Sequence, residues 1–496
     1  MKIGITYIKG SLPGFENFGN LPTDIVNNEG LTNGIKASKE LDALIIPGGT
    51  LLESGDTSEN LLKEIKQIAS DGKPVIGICS GFQLLSNSTD IGRNSPRPII
   101  KEGLGLIDLD FSPLVSSDKV EAISTTNSFL TKKDQKVTGF HSHTYGKADG
   151  NAKALFYSKI KRMNYKDTDY NILSGAIGDN ENVLGTLIHN ILDENTEVVQ
   201  NFFNFLDLDD NQINDIYLKN KEFKNKLNYD LGINSNVKIE KLTQPFLKFK
   251  NTKKTLMILS TGSDSGKTFI TTGLAGALRK RGLNVGLIKI GPDVRDIIPG
   301  LYLTKGKMED FSSVKIGHIG WMEINEIINQ LNNSNYDIIL IEGVMSAFTG
   351  LLNEKIPYSG AEIAASSNIP VILTTGVNKG GIESAAIDLI AHKKLLDSLN
   401  INTKAILLNK VYSKEILNEI TPYIEKETNT KVLSIDKIKL DKRGNTPEVE
   451  IDYDKFSSLA LNTIEDNLNI EKIANMSEIP KFNRYLSFDE IKKIFR

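Results

Sequence analysis

Short apolar runs that end on a turn constrain this chain more than any other feature. KIGITYI (2–8), ALIIPGG (43–49) and PVIGICSG (74–81) come first. TLMILSTG (255–262), NVGLIKIG (284–291), YDIILIEG (336–343), IPVILTTG (369–376) and KAILLNK (404–410) follow later. Runs this short, apolar on both faces, fit strands of a covered parallel sheet. Between them lie helical patterns, such as LLKEIKQIASDG (61–72) and FITTGLAGALRKRG (269–282), each closed by a glycine. Strand and helix in alternation predict an α/β fold with doubly wound parallel sheets. The pattern breaks once, over 206–252, a polar stretch rich in Lys and Asn. We therefore expect a first domain over 1–205, a linker over 206–252, a second domain over 253–480 and a C-terminal tail over 481–496.

The totals narrow the function classes. A chain of 496 residues has room for two to four domains at about 150 residues each. A net charge of −3 offers no basic surplus for nucleic acid. One cysteine cannot form an internal disulfide. MKIGITYIKG is too short and polar for a signal peptide, and no apolar run reaches the roughly 18 residues of a membrane span. These features predict a cytoplasmic protein with no nucleic-acid or membrane partner.

That cysteine stands in Gly77-Ile78-Cys79-Ser80-Gly81, a G-x-C-x-G sequence directly after an apolar strand. A nucleophile on a tight strand-to-helix turn sits in strained backbone, and flanking glycines let the chain pass. The following helix would aim its first amides at the sulfur. The Ser80 amide could donate to an oxyanion, with a second donor from the turn at Gly48 and Gly49. A thiolate also needs a base. Five histidines are present, and His189, in VLGTLIHNILDEN, ends an apolar strand. A lone buried cysteine is usually a small hydrophobe; the glycine frame and the upstream turn reverse that expectation here. His141 and His143 flank one serine, and on a strand they would share a face. Lacking a visible third ligand, they read as pocket lining more than as a metal pair.

The second constellation is Thr261-Gly262-Ser263-Asp264-Ser265-Gly266-Lys267-Thr268, between an apolar strand and a helix. Small residues let backbone N–H groups wrap phosphates, Lys267 reaches the β and γ oxygens, and Thr268 can ligate Mg²⁺. Thr261 stands where the usual pattern has its first glycine. Glu342 ends the strand YDIILIEG, where a carboxylate can hold Mg²⁺. Lys289, Asp293 and Asp296 lie past the strand NVGLIKIG. One cation and two carboxylates at that end suit phosphate, metal and substrate contacts.

IIPGG, GICSGFQLL and GTLIH together resemble class I glutamine amidotransferase domains of the cobyric acid and cobyrinic acid a,c-diamide synthase group, over roughly 1–200. GLGLIDLD (103–110) and GFHSHTYG (139–146) are partly similar, with His141 where the group tends to have a glutamate. The resemblance implies a flavodoxin-like glutaminase in which Cys79 attacks the glutamine carboxamide and His189 is the base. Most class I domains carry a glutamate two residues after that histidine. Here the position is Ile191, so a backbone carbonyl or Asp193 is left to orient the ring. TGSDSGK, KIGPDVRD and EGVM resemble the synthetase domain of the same group, over about 253–475. This implies a P-loop fold, ATP and Mg²⁺ as cofactors, phosphate contacts at Thr261 to Thr268 and Lys289, and metal ligands Thr268, Glu342 and Asp293. It also implies substrate contact at Asp296 and a base contact at Asn409. In that group the ATP domain comes first, and here the order is reversed.

The implied reaction is amidation of carboxylates, through an acyl phosphate, by ammonia released from glutamine. The implied acceptor is a corrinoid or related tetrapyrrole acid, and a homodimer is compatible with this reading. Two alternatives stay open from the residues alone: the same modules serving another carboxylate, or a P-loop switch fused to a glutaminase-like docking domain.

Overall fold

The fold is taken from a computed structural model, which describes residues 1–7, 16–49, 57–93, 95–161, 169–230, 248–378, 380–439 and 453–495. Among these the chain forms two compact units, one holding 1–230 and the other 248–439 and 455–495.

The first unit is built on a nine-stranded sheet. In chain order its strands are β1 (Ile3–Thr6), β2 (Asp24–Val26), β3 (Ala43–Ile46), β4 (Val75–Ile78), β5 (Lys119–Ser124), β6 (Lys136–Phe140), β7 (Lys153–Lys161), β8 (Asp169–Ile177) and β9 (Val183–Thr186). The spatial order is β6-β5-β7-β8-β9-β4-β3-β1-β2. The stretch β9-β4-β3-β1-β2 is parallel. It has the 2-1-3-4-5 order of flavodoxin-like sheets. The strands β5 to β8 add an antiparallel extension ending on β9. The expected parallel sheet is therefore present, and the unit is wider and mixed. The physical difference is visible in burial. The central strands ALII and VIGI are buried at every position. In the extension, KALFYSKIK alternates buried and exposed residues from Phe156 onward, as a sheet with one solvated face requires.

Besides a single turn over Ala37–Glu40, the helices of this unit among the described residues are α1 (Glu59–Ser70), α2 (Ser80–Leu85), α3 (Ile191–Glu194), α4 (Thr196–Phe205) and α5 (Asp210–Asp230). Ser58 caps α1, its Oγ accepting from the Leu61 amide at 3.2 Å. The stretch expected to be a linker holds the whole of α5. Ile216, Asn220 and Phe223 on this helix are buried, so it packs as part of the first unit. The rest of that stretch, 231–247, lies outside the described residues.

The second unit has a seven-stranded sheet, all parallel. Its strands are β10 (Lys254–Ser260), β11 (Val285–Ile290), β12 (Ser313–Val314), β13 (Ile338–Glu342), β14 (Val371–Gly376), β15 (Thr403–Val411) and β16 (Lys431–Asp436), ordered β12-β11-β13-β10-β14-β15-β16. Helices α6 (Lys267–Lys280), α7 (Gly381–Ser398), α8 (Lys414–Thr428) and α9 (Tyr453–Asn467) accompany it. The described part of the stretch expected as a C-terminal tail packs on this unit. The Lys481 and Asn483 amides donate to the Ser367 and Ser366 carbonyls, and Ile491 is fully buried in the core of this unit.

The helix that follows the phosphate loop is seated by a close approach. A Cβ on Gly273 of α6 would lie 2.4 Å from the Ala460 carbonyl oxygen and 2.3 Å from Ile464 Cγ1 on α9. Alanine would gain about 1 kcal/mol of helix propensity over glycine. The overlap costs about 1–3 kcal/mol, and backbone cannot swing away, so the overlap wins. We expect Gly273→Ala to lower the urea midpoint of unfolding, whereas an exposed glycine-to-alanine change elsewhere on a helix would raise it.

Candidate active sites

Strand β4 delivers Cys79 at φ 53°, ψ −108°. This is left-handed backbone that a residue with a Cβ adopts only under constraint. The constraint is packing on both sides. The Cys79 amide donates to the Thr186 carbonyl of β9 at 2.8 Å. A Cβ on Gly81 would lie 2.1 Å from the Ile46 carbonyl oxygen of β3, so only glycine lets α2 start there. The thiol is buried, and its Sγ lies 3.7 Å from the Ser142 carbonyl oxygen.

His189 follows β9 and comes back beside Cys79, close enough for the thiol to act on the charge of its ring. Its amide donates to the Phe140 carbonyl at 2.8 Å, and the Phe140 ring stacks on the imidazole with centroids 5.1 Å apart. A Cβ on Gly48 would sit 2.7 Å from His189 Cε1 and 3.3 Å from Cys79 Cβ. The turn after β3 therefore closes on both groups. Gly49, beside it, has φ 129°. Ser80 is buried at the start of α2.

The third group comes from the connection between β1 and β2. Glu16 Oε1 lies 2.5 Å from His189 Nδ1, and Glu16 Oε2 accepts from the Asn190 amide at 2.9 Å. Both side chains are buried. Asp193, named from sequence as a candidate to orient the ring, does something else. Its two carboxylate oxygens accept from the Asn17 and Gly19 amides, each at 2.7 Å. It holds the loop that carries Glu16. No local motif marks Glu16, which is 173 residues from its partner. Two signals point to it in retrospect. It is the sole acidic residue over 7–23, and in a 2-1-3-4-5 sheet the loop after β1 lies at the same carboxyl edge as the elbow.

Burial opposes charge on His189, yet the Glu16 carboxylate and Cys79 beside it outweigh this and raise the imidazole to about 10. His141 is the opposite case. It is fully buried with no hydrogen-bond partner for either ring nitrogen among the described residues. Burial and the neighbouring His143 and His189 hold it well below the usual histidine range. Its ring lies 4.8 Å from that of His143, whose Nδ1 meets the Leu114 carbonyl at 3.0 Å. Among the described residues no group of three or more His, Cys, Asp or Glu forms that could hold a metal.

The phosphate loop lies between β10 and α6. Gly266 caps the helix at φ 84°, and Ser263 and Asp264 are exposed at the apex. Ser265 Oγ donates to the Gly262 carbonyl at 2.8 Å, and Thr261 Oγ1 meets Thr375 Oγ1 at 2.7 Å. Thr261 thus ties the loop to β14, a use for a side chain where the usual pattern has glycine. Lys267 folds back to Ser260 Oγ (2.8 Å) and the Met345 carbonyl (2.6 Å). Burial and the Lys289 charge lower Lys267 to about 8.

Thr268 Oγ1 donates to Glu342 Oε1 at 2.7 Å. Lys289 Nζ lies 3.0 Å from the same oxygen and 2.5 Å from Asp296 Oδ2. Two carboxylates keep Lys289 cationic against the cost of burial. Glu342, fully buried, is pushed up to about 7 by that burial, with Lys289 opposing. Its Oε2 is buried without a hydrogen-bond partner. Asp293 lies elsewhere in the network, accepting from Arg295 Nε at 2.9 Å and Nη2 at 3.2 Å. Asn409 Nδ2 donates to the Ser265 carbonyl at 3.0 Å, and Lys410 Nζ to the Asp264 carbonyl at 2.7 Å. The side-chain amide expected to face a nucleotide base here clamps the loop.

The comparisons with known proteins agree with this division. Residues 11–197 match the CobB/CobQ-like glutamine amidotransferase domain. Residues 256–448 match the CobQ/CobB/MinD/ParA nucleotide binding domain. Along the chain the amidotransferase match thus precedes the nucleotide-binding match. Its curated relatives include the cobyrinate a,c-diamide synthase of Dehalococcoides mccartyi (strain CBDB1), 34% identical over 181 residues, or 36% of this chain and 37% of that one. The enzyme of the same name from Methanococcus maripaludis (strain C5) is 29% identical over 234 residues, or 45% of this chain and 51% of that one. The matched part of the chain spans between about a third and a half of these relatives' length. Among the described residues no helix is long and apolar enough to cross a membrane.

The buried Glu16–His189 pair has a pH signature. A histidine raised to about 10 from about 6.5 when unfolded stabilises the fold fully below pH 6.5. The contribution fades as pH rises towards 10. We expect Glu16→Gln to be less stable than the parent protein at pH 6.5, with the gap in urea midpoint narrowing steadily up to pH 10.

Proposed function

We propose that this chain is a glutamine-hydrolysing, ATP-dependent amidoligase whose acceptor is a carboxylate of a tetrapyrrole acid of the cobyrinate kind. The observation that carries this reading is the buried Cys79–His189–Glu16 arrangement, in a chain that also holds a phosphate loop with Lys267, Thr268 and Glu342. The acceptor class rests on the named relatives.

Each group has a task. Cys79 attacks the glutamine carboxamide carbon, the C–N bond breaks, and ammonia leaves with a proton from His189. Water then cleaves the thioester, with His189 taking its proton, and frees glutamate. Glu16 holds the ring with Nδ1 towards itself and Nε2 available to the sulfur side, as the third member of such triads does. The amides of Gly49 and Ser80 suit the oxyanion.

A carboxylate is a poor acceptor for ammonia, because oxide would have to leave. Transfer of the γ-phosphoryl of ATP to the acceptor carboxylate removes that obstacle, and ammonia displaces phosphate. Lys267 and Lys289 supply positive charge to the phosphoryl oxygens, the P-loop amides wrap the chain of phosphates, and Asp296 is assigned to the acceptor. Thr268 Oγ1 and the unpartnered Glu342 Oε2 make a hard oxygen donor set that fits Mg²⁺. When bound, that ion neutralises phosphate charge. Asn409 supports the loop from behind.

Two variants separate the halves. Cys79→Ala is expected to abolish glutamine-dependent amide formation from ATP and a tetrapyrrole acid, and to keep it with ammonium added. Lys267→Ala should reduce amide formation and carboxylate-dependent ADP release about 10²–10³-fold with either nitrogen source. Glutamine use by Cys79→Ala would overturn the first assignment. ADP release that answers to a protein partner and never to a carboxylate would favour the switch reading.

A further inference from the structure

The loop that carries Glu16 is strained. Phe18, Gly19 and Asn20 follow one another at φ 52°, 63° and 60°. A left-handed phenylalanine, followed by two more left-handed residues, persists only where the surroundings over-determine it. The clamps are visible. Asp193 takes the Asn17 and Gly19 amides from one side. From α5 come two further polar side chains. Lys224 Nζ donates to Asn17 Oδ1 at 3.0 Å and to Asn20 Oδ1 at 2.5 Å. Asn220, buried, donates from Nδ2 to the Pro22 carbonyl at 2.8 Å. Glu16 is the residue immediately before this clamped stretch.

We propose that Lys224 and Asn220 on α5 are positioning residues of the thiol site, acting through Glu16. Neither touches Cys79 or His189. Their work is to keep a strained loop seated, so that one carboxylate meets Nδ1 of a histidine on a different strand. The consequence is that the chemistry of Cys79 depends on the seat of α5. That helix is also the last described element before the chain passes on to the second unit. A lysine suits the task because its ammonium has three donors and can hold two asparagine oxygens at once.

This inference rests on reading Cys79, His189 and Glu16 as a glutaminase triad, and its test separates the two. The full chain would be made with Lys224→Met, which keeps the stem and removes the donors. Lys224→Arg keeps donors and charge. Asn20→Gly removes one acceptor and relaxes the strained φ, so it tests the contact without adding strain. Two readouts are taken on each: steady-state hydrolysis of glutamine, and titration of His189 by the NMR signal of its labelled ring carbon, assigned with His189→Gln.

For Lys224→Met and Asn20→Gly we expect kcat for glutamine to fall about ten- to a hundredfold, since small misplacements of catalytic groups cost that much. KM should stay within about twofold, because the loss falls on the chemical step and not on binding. The His189 titration should move down from its parent value, and Lys224→Arg should restore most of both. An unchanged His189 titration in both weakened variants, with kcat intact or lowered, would overturn the proposal. If the parent protein does not hydrolyse glutamine while the His189 shift still appears, the clamp stands and the glutaminase reading falls.

Discussion

The buried contact between Glu16 and His189 is the interaction on which the first unit's chemistry depends. Two side chains that are almost wholly out of water cannot both be left to their ordinary states. Removing a charge from water is expensive, and a partner with good geometry must offset it. Glu16 receives a ring nitrogen and a backbone amide, which satisfies both oxygens. The imidazole is then held charged and in one orientation. The same pair draws together three strands that are distant in sequence. Glu16 follows β1, Cys79 follows β4 and His189 follows β9, and all three strands run parallel in one sheet. Their carboxyl ends therefore meet at one edge.

The second unit repeats this logic with the signs exchanged. Lys289 is a buried cation between two carboxylates, and Glu342 is a buried carboxylate between Lys289 and Thr268. The network comes from the ends of β11 and β13 and from the first turn of α6, again at the carboxyl edge of a parallel sheet. Lys267 turned onto Ser260 and the Met345 carbonyl shows how the loop satisfies its own lysine within the protein. In both units a strained or left-handed residue marks the turn at which a chemical group is presented: Cys79 in one, Gly266 in the other.

Much of this was legible in the chain. The apolar runs correspond to strands because a covered parallel strand must be apolar on both faces. The two strand-turn-helix sequences were legible because a nucleophile or a phosphate needs that local backbone, and local backbone is written in neighbouring residues. The antiparallel extension was harder to see, since KALFYSKIK alternates as any half-exposed strand does. The linker expectation failed over α5. Its polar surface hides a sparse buried set, Ile216, Asn220 and Phe223, too thin to register as a core-facing helix. Asn409 kept its place beside the phosphate loop, but its amide is turned to the loop backbone. That is a choice between two hydrogen-bond partners, on which residue identity is silent.

By itself the sequence determined the two α/β units, the thiol on its elbow, the phosphate loop with Lys267 and Thr268, and the carboxylate Glu342 at a strand end. All of these follow from periodicity and from spacing within a few residues. The tertiary structure alone decided what completes the thiol site. Glu16 meets His189 across 173 residues, Asp193 moves from the ring to the loop, and Lys224 closes that loop from α5. Such contacts depend on strand order and on which loop lies beside which. A chain encodes them through its whole set of packing interactions, and no short stretch of residues contains them.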